Sequence, residues 1–253
     1  MNRVLGMIRN VRNFPTYLAI KWGLIKREPF ILKGGNNVSV LVPKRMFHTV
    51  KELFFTDDYQ LDRIKETLKT ESLNIIDVGA NVGYFSAFAF TRFPKARVIS
   101  VEPIPKNLAL LKANQERNAD KNWEFIEGVM SNVTENIEIT FDDADDFSTS
   151  ASVVGLDDGS DKLTVKAFSF EDFLGKHGME KVDILKLDCE GSEYNILCEL
   201  NDEMLQKIQF ITMETHELDE ERNTATMIQF LEKNDWTVSA KRTKVLARNN
   251  RFK

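Results

Sequence analysis

Between residues 73 and 213, short apolar runs alternate with longer segments of helical periodicity. The runs at 74–78 and 183–187 are apolar stretches bounded by polar residues. Strands buried on both faces have this pattern, and strands joined by helices form a mostly parallel sheet covered by helices. The sequence therefore predicts a three-layer α/β domain, with strands at 73–78, 97–101, 123–126, 136–141, 163–168, 183–187 and 208–213.

The first 70 residues have a different pattern. A helix predicted over 4–25 is broken near Pro15, and two short β-like runs at 30–33 and 38–42 are joined by a turn of Gly and Asn. Helices are predicted over 43–55 and 61–69. We therefore expect an N-terminal α+β extension over residues 1–70, which caps an α/β domain over residues 71–253.

Composition narrows the class of protein. Two cysteines, Cys189 and Cys198, cannot build a disulfide framework, which favours a reducing compartment and a cytoplasmic location. No run of about 18 apolar residues is present, as a membrane-spanning helix would need. Between residues 28 and 240, 22 Lys and Arg face 39 Asp and Glu, a formal charge of −17. So acidic a surface argues against a nucleic-acid partner.

Residues 1–27 carry six Lys and Arg and no acid. A secretory signal needs an uninterrupted apolar region, and Arg9, Arg12 and Lys21 interrupt this one. Two interpretations stay open: a helix packed on the domain, or a basic amphipathic element in peripheral contact with an anionic membrane or partner.

The segment 77–84 places Gly79 and Gly83 between a predicted strand and a predicted helix. Glycine there permits a sharp turn and a close approach of the backbone to a ligand. The spacing G-x-N-x-G differs from the G-x-G-x-x-G of dinucleotide sites. Asp77 would repel a pyrophosphate but can pair with an amino-acid ammonium.

A second acid, Glu102, ends the next predicted strand, 19 residues after Gly83. A carboxylate at that place can accept hydrogen bonds from both hydroxyls of a ribose. S-adenosylmethionine carries both a ribose and an amino-acid end, so the turn and the acid together favour it as the cofactor. NAD(P) and a purely structural turn are the alternatives.

Three motifs stand in one order along the chain: 77–86 (DVGANVGYFS), 101–107 (VEPIPKN) and 186–193 (KLDCEGSE). With them, residues 75–198 resemble the FkbM family of S-adenosylmethionine-dependent methyltransferases. The resemblance implies a Rossmann-like class I methyltransferase fold with a seven-stranded, mostly parallel sheet. It also implies methyl transfer to an oxygen, typically a hydroxyl of a sugar, glycan or secondary metabolite. Residues 1–60 and the acidic segment 142–161 carry none of this resemblance to the family.

In open α/β sheets the ligand lies outside the carboxyl ends of the strands. We expect Gly79 and Asn81 of the turn to bind the methionine end and Glu102 to bind the ribose, with Asn107 on the adenosine side. The full expected cofactor set is Asp77, Gly79, Asn81, Gly83, Tyr84, Glu102 and Asn107.

Methyl transfer to a hydroxyl needs an aligned oxygen and a group that takes its proton. Asp188 and His216, at or just beyond predicted strand ends, are the leading catalytic candidates, with Glu190 behind them. Lys186 shares a strand face with Asp188, so a structural ion pair and a role at the site are both open. The acceptor is expected to be a hydroxyl-bearing small molecule or glycan. A catalytically inactive subunit that binds S-adenosylmethionine is the alternative function.

No metal site is predicted. Asp188, Glu214 and His216 would bring oxygen and nitrogen ligands together, as in Mg²⁺-dependent catechol methyltransferases. The acidic pair of that group is not reproduced, because Thr215 stands where an Asn would be expected. The acidic runs 142–146 and 157–161 lack the spacing of a calcium loop and are expected to be solvated loops near the acceptor.

Overall fold

The structure, a computed structural model, describes residues 3–26, 28–68, 70, 72–141, 151–152 and 161–252. The N-terminal part contains two short helices, a β-hairpin and a further helical stretch. In chain order its elements are α1 (Arg3–Asn10), α2 (Phe14–Lys21), β1 (Phe30–Lys33), β2 (Ser39–Val42), a 3₁₀ turn (Lys44–Met46), α3 (Phe47–Val50), a π-helical turn (Lys51–Phe55) and α4 (Leu61–Thr67).

From residue 74 onward strands and helices alternate, as predicted. The elements are β3 (Asn74–Val78), α5 (Tyr84–Arg92), β4 (Arg97–Glu102), α6 (Pro105–Glu116), β5 (Asn122–Glu127), β6 (Val129–Ser131), β7 (Asn136–Phe141), β8 (Ala151–Ser152), β9 (Asp161–Ser169), α7 (Phe170–His177), β10 (Val182–Leu187), α8 (Glu193–Leu197), α9 (Asp202–Gln206), β11 (Ile208–Glu214), α10 (Thr224–Lys233), β12 (Trp236–Lys241) and β13 (Lys244–Asn249).

The predicted fold class is confirmed. A seven-stranded sheet has the order β12-β13-β11-β10-β3-β4-β5, and its only antiparallel pairings involve β13. Alternate residues of each strand enter different cores: Ile75 and Ile184 pack with α5 and the N-terminal part, whereas Ile76 and Leu185 pack with α7, α8 and α10. The sheet is therefore the middle of three layers, and the carboxyl ends of β3, β4, β10 and β11 meet at one edge.

Two of the seven strands differ from those predicted. The runs at 136–141 and 163–168 form β7 and β9 of a separate sheet, of order β6-β9-β7-β8. The hairpin β12–β13 completes the main sheet instead, although the sequence predicted no strand after residue 213. Between its basic residues, Val245, Leu246 and Ala247 are buried.

The predicted helices near the N-terminus also need correction. The break falls at residues 11–13 rather than near Pro15, and Pro15 lies in the first turn of α2, where its missing N–H is not needed. The single helix predicted over 43–55 is three successive elements. Within the part of the chain that the structure describes, no helix has the length and apolar character to cross a membrane.

The N-terminal part shares one hydrophobic core with α5. Buried side chains of α1, the hairpin and residues 46–64 pack against Phe88 and Phe90 of that helix. Arg92, also on α5, is buried and donates to Asp62 Oδ1 (2.7 Å) and Asn10 Oδ1 (2.9 Å). The division near residue 70 stays a prediction about domain organisation, and residues before and after it are packed together.

The turn after β3 contains three residues in the left-handed region: Gly79 (φ +69°), Asn81 (φ +50°) and Gly83 (φ +81°). The amides of Gly79 and Ala80 both donate to the carbonyl of Val101 on β4, at 3.1 and 3.0 Å. A Cβ on Gly79 would lie 1.8 Å from the carbonyl oxygen of Asp188. The turn therefore lies flat against the ends of both neighbouring strands.

We expect Gly79→Ala to destabilise the fold by at least about 2 kcal/mol, because it combines left-handed strain with a backbone clash. Urea denaturation followed by circular dichroism measures this change. The matched control is Gly175→Ala in α7, where a Cβ meets nothing within 4 Å, so its stability should stay the same or rise slightly. Equal stability of the two variants would contradict this account of the turn.

Candidate active site

A cavity of about 330 Å³ opens at the edge where the strand ends meet. It is bordered by the β3 turn, the end of β4, the segments after β10 and β11, and residues 48–52 of the N-terminal part. A smaller cavity of about 50 Å³ lies beside it, between the turn and the N-terminal part. Of the residues predicted from the sequence, the larger cavity is lined by Gly79, Asn81, Glu102, Asn107, Asp188, Glu190 and His216.

The remaining predicted residues lie elsewhere. Lys186 and Tyr84 line the smaller cavity, whereas Asp77 and Gly83 line neither. The Tyr84 hydroxyl donates to the carbonyl of Leu41 at 2.8 Å, which ties α5 to the N-terminal hairpin. A Cβ on Gly83 would lie 2.7 Å from the Trp123 ring, so this glycine allows β5 to pack closely.

Glu102 is a fixed carboxylate in the cavity wall. Its Oε2 accepts from the amide of Asn81 (2.8 Å), and its Oε1 accepts from the amide of Ile104 (3.1 Å) and from Asn107 Nδ2 (3.0 Å). Burial raises the pKa of Glu102, and these three hydrogen bonds oppose that rise. A carboxylate has roughly four acceptor positions, so capacity for a ligand hydroxyl is left mainly on Oε2.

Asp77 and Lys186 form a buried ion pair beneath the turn, directly opposite each other on β3 and β10. Lys186 Nζ lies 3.1 Å from Asp77 Oδ1 and donates to the carbonyls of Val78 (3.1 Å) and Gly79 (2.7 Å). Burial alone would lower the pKa of Lys186, but Asp77 and Asp188 raise it above 10.5. Lys186 is therefore a fixed cation that holds the turn backbone.

Asp188 lies just past the end of β10 and is ionised. Its Oδ2 accepts from the Tyr59 hydroxyl at 2.5 Å and lies 3.9 Å from Lys186 Nζ. Burial opposes ionisation, but Lys186, the Tyr59 hydrogen bond, Lys244 and His216 together lower the pKa of Asp188 below 3.8. The carboxylate can accept a hydrogen bond from a ligand hydroxyl at neutral pH.

His216 is held by a buried carboxylate. Glu193 is fully buried, and its Oε1 contacts both the backbone amide (2.8 Å) and Nδ1 (2.9 Å) of His216. The other ring nitrogen, Nε2, lies 3.4 Å from Glu190 Oε2. Burial would lower the pKa of His216, but Glu193, Glu190 and Asp188 raise it to about 9. At neutral pH the His216 ring is therefore protonated in the ligand-free protein. It can donate a hydrogen bond, but it cannot accept a proton.

Sequence reasoning missed the contribution of the N-terminal part. Thr49 and Glu52 line the larger cavity together with His48, and Tyr59 contacts Asp188. No motif marks these residues, because their contacts arise only when residues 46–64 pack on α5. The acidic segment expected near the acceptor falls mostly on residues 142–150 and 153–160, outside the described residues.

The side chains that line this cavity are mainly acidic. Five carboxylates line it (Glu52, Glu102, Asp188, Glu190 and Glu214), and its described basic side chains are His48 and His216. Such a wall favours a polyhydroxyl or cationic ligand over an anionic one. The fixed carboxylate of Glu102 and the ionised Asp188 border one continuous space, where a bound hydroxyl compound can lie between them.

Sequence comparison assigns most of the chain to a family. The model of the methyltransferase FkbM domain family matches residues 77–237, from the turn after β3 to the start of β12. This match contains Asp77, Glu102, Asp188 and His216, and it leaves out the N-terminal part. The resemblance expected from the three sequence motifs is confirmed.

Two curated proteins and one solved structure are similar to the chain. AMB antimetabolite synthetase AmbE of Pseudomonas aeruginosa is 27% identical over 222 residues, which is 74% of this chain and only 10% of that protein. Hexuronic acid methyltransferase AglP of Haloferax volcanii is 25% identical over 84% of each chain. The crystal structure of methyltransferase FkbM from Methylobacillus flagellatus superimposes with a TM-score of 0.51 at 15% identity, covering 81% of this chain and 54% of that one.

The contacts of His216 predict its titration in the ligand-free protein. Since its folded pKa of about 9 exceeds the 6.5 of an unfolded chain, its stabilising effect is full below pH 6.5 and is lost as the pH rises through about 9. We expect the ring resonances of His216 to titrate near pH 9 in an NMR experiment. Relative to His216→Gln, the wild-type protein should lose roughly 2–3 kcal/mol of stability between pH 6.5 and pH 9.5.

The variant His216→Gln and the residue His177 supply the controls. His216→Gln assigns the resonance by its disappearance, and burial lowers the pKa of His177, so that residue should titrate below 6.5. A midpoint near 6.5 for His216 would show that Glu193 does not hold its charged form.

Proposed function

Since this chain belongs to the FkbM methyltransferase family, we propose that it transfers the methyl group of S-adenosylmethionine to a hydroxyl oxygen of a sugar, glycan or secondary metabolite. The observation that carries this proposal is the position of Glu102. The carboxylate is fixed at the end of β4 by the amide of Asn81 in the turn, and it borders the same cavity as Asp188. A nucleoside bound to Glu102 and an acceptor bound to Asp188 would therefore lie in the same cavity.

The described residues fit the cofactor. Glu102 has remaining acceptor capacity for the ribose hydroxyls, and Ile104, Val129, Met130 and Ile139 give the same cavity an apolar side for a base. The smaller cavity beside Gly79 and Asn81 has room for part of the methionine end. In this proposal Asp77 acts on the cofactor indirectly, since it is fully buried and fixes Lys186 under the turn.

S-adenosylmethionine supplies a methyl group that is already activated on a positively charged sulfur. The protein must align an acceptor oxygen with that methyl group, and alignment is worth several kcal/mol, up to about 7–11 in favourable cases. The acidic wall favours the cationic sulfonium before transfer over the neutral thioether after it. The sulfur–carbon bond breaks as the oxygen–carbon bond forms, and the carboxylates of the cavity wall take up the proton that the hydroxyl loses and pass it to solvent.

Two observations support oxygen as the acceptor atom. None of the six prolines is followed by a second proline, so the Asn/Asp-Pro-Pro-Tyr/Phe motif of many N-methyltransferases is absent from the sequence. One relative that matches over most of its length carries the name of a hexuronic acid methyltransferase. Both favour a hydroxyl of a carbohydrate or a related metabolite.

Calorimetric titration with S-adenosylhomocysteine tests the cofactor site. We expect Glu102→Gln to bind roughly 10- to 100-fold more weakly, because the amide replaces charge-assisted hydrogen bonds of about 1.5–3 kcal/mol with neutral ones. The control is Glu116→Gln at the exposed end of α6, which should bind like the wild-type protein. Unchanged binding by a folded Glu102→Gln variant would sink the assignment.

The transfer step is tested in the same preparation. Cell extracts incubated with protein and isotopically labelled methyl donor should yield labelled O-methyl products by mass spectrometry. Asp188→Asn should lower the yield while cofactor binding stays within a few fold. Cofactor binding without any labelled product, over a broad set of carbohydrates and metabolites, would favour the inactive partner subunit instead.

A further inference from the structure

We propose that Asp188, Glu190 and His216 bind a divalent metal ion at the acceptor side of the cavity. One ligand atom from each residue lies within 4.8 Å of the other two. Ligand atoms about 2.1 Å from one ion stand about 3 Å apart when adjacent and about 4.2 Å apart when opposite. Small rotations of partly exposed side chains therefore complete the geometry.

The histidine is oriented as a metal ligand. Glu193 is fully buried, and it accepts from the backbone amide of Gly191 through Oε2 and contacts Nδ1 of His216 through Oε1, at 2.9 Å each. This contact fixes the ring and leaves Nε2 directed at Glu190, and metal binding would release the proton that Nε2 carries at neutral pH. A carboxylate behind a histidine is the usual support of a metal-bound imidazole, since it sets the tautomer and raises ligand basicity.

The side chains of Asp188 and Glu190 are both partly exposed toward the cavity. Asp188 Oδ2 is held by the Tyr59 hydroxyl, so Oδ1 is the atom available to an ion. Glu190 is in the left-handed region (φ +52°) next to Gly191, where the chain reverses after β10. Both residues and His216 line the larger cavity.

Glu214, which the sequence suggested as a ligand, is engaged elsewhere. Its carboxylate pairs with Lys244 of β13 and accepts from Thr243. Glu190 takes its place because the loop after β10 passes close to His216. The three carboxylates of Asp188, Glu190 and Glu193 around one imidazole form a negative pocket that favours a dication.

Three protein ligands leave open positions on the ion. Two carboxylates and one imidazole suit Mn²⁺ or Mg²⁺ and tolerate other first-row ions. On the premise of the proposed function, the open positions would hold two neighbouring oxygens of the acceptor. The substrate class is then a vicinal diol, oriented toward the methyl donor.

Manganese binding to the full chain tests this site without using activity. We expect one Mn²⁺ per chain by electron paramagnetic resonance, with ¹⁴N modulation from the imidazole. His216→Gln should abolish the ¹⁴N signal, and both His216→Gln and Glu190→Gln should weaken binding at least 10-fold. Glu190→Gln keeps the proposal testable if the loss of His216 disturbs folding.

The discriminating control is Glu214→Gln, which removes an acid from the same cavity but outside the ligand set. Binding by this variant should stay within about threefold of wild type. Absence of Mn²⁺ binding, or an equal loss in Glu214→Gln, would overturn the proposal. Titration with S-adenosylhomocysteine in the presence of a chelator tests the proposed function separately, so failure of the metal site alone leaves that function intact.

A separate observation carries a second proposal: we propose that residues 3–26, here called the N-terminal face, bind an anionic lipid surface. Eight large apolar side chains are exposed among the described residues, and six of them lie on this face, with 40–74% of each side chain accessible. They form two groups, one on α1 and one directly after α2: Val4, Leu5, Ile8, Trp22, Leu24 and Ile25.

The charges of the face complement anionic lipid. Five exposed basic residues accompany the apolar groups (Arg3, Arg9, Arg12, Lys21 and Lys26), and residues 1–27 contain no acid. Helix α1 buries Gly6, Met7 and Asn10 on one side and presents Leu5 and Ile8 on the other. Apolar insertion combined with about 1 kcal/mol for each Lys or Arg near an anionic surface gives reversible peripheral binding.

Vesicle flotation tests this face. The protein should float with phosphatidylcholine vesicles that contain phosphatidylglycerol, and it should float poorly with phosphatidylcholine alone or in high salt. Leu5→Ser with Ile8→Ser, and separately Lys21→Glu with Lys26→Glu, should each reduce the bound fraction severalfold.

Matched substitutions elsewhere serve as controls. Val133→Ser removes an exposed apolar side chain of the β6–β7 loop, and Lys112→Glu with Lys233→Glu reverses two exposed charges on α6 and α10; neither should change flotation. Equal losses in these controls, or no binding by the wild-type protein, would overturn the proposal. Concentration-dependent self-association that Leu5→Ser with Ile8→Ser abolishes would assign the face to a second copy of the chain instead.

Discussion

The site depends on the buried ion pair between Asp77 and Lys186. The two residues are cross-strand neighbours at the centre of the sheet, and Lys186 also binds the carbonyls of Val78 and Gly79. Asp77 in turn accepts from Ser86, which contacts Ser100, and Ser100 accepts from the indole of Trp123. One polar chain thus joins β10, β3, α5, β4 and β5. Removing either charge would leave the other uncompensated in the core, at a cost of about 3–5 kcal/mol.

Much of the fold and half of the site follow from local patterns. Apolar runs separated by helical segments are enough to predict the α/β layers, and a glycine turn followed by an acid at the next strand end is enough to predict Glu102. The direction in which a side chain points is harder to predict from the sequence. Asp77 and Lys186 belong to the motifs, yet they point beneath the turn, because the pleat of β3 and β10 directs them away from the cavity.

Long-range contacts account for the remainder. The strands β12 and β13 contain three basic residues, and only the pairing of β13 with β11 shows that the hairpin completes the sheet. The same pairing brings Lys244 to Glu214, which decides between Glu214 and Glu190 as neighbour of His216. Tyr59 reaches Asp188 across 129 positions in the chain. No residue pattern within one segment contains these relationships.

The cavity is built from two parts of the chain, and the N-terminal part lies outside the family match. Its residues 48–59 border the cavity and bind Asp188, while the matched region begins only at residue 77. The side of the cavity that contains Glu102 therefore lies within the family match, whereas the side that contains Thr49 and Glu52 lies outside it. A substitution among residues 48–59 can therefore alter one side of the cavity without touching the turn or the buried ion pair that holds it. The shape of the acceptor space and the support of the turn are separable in this fold.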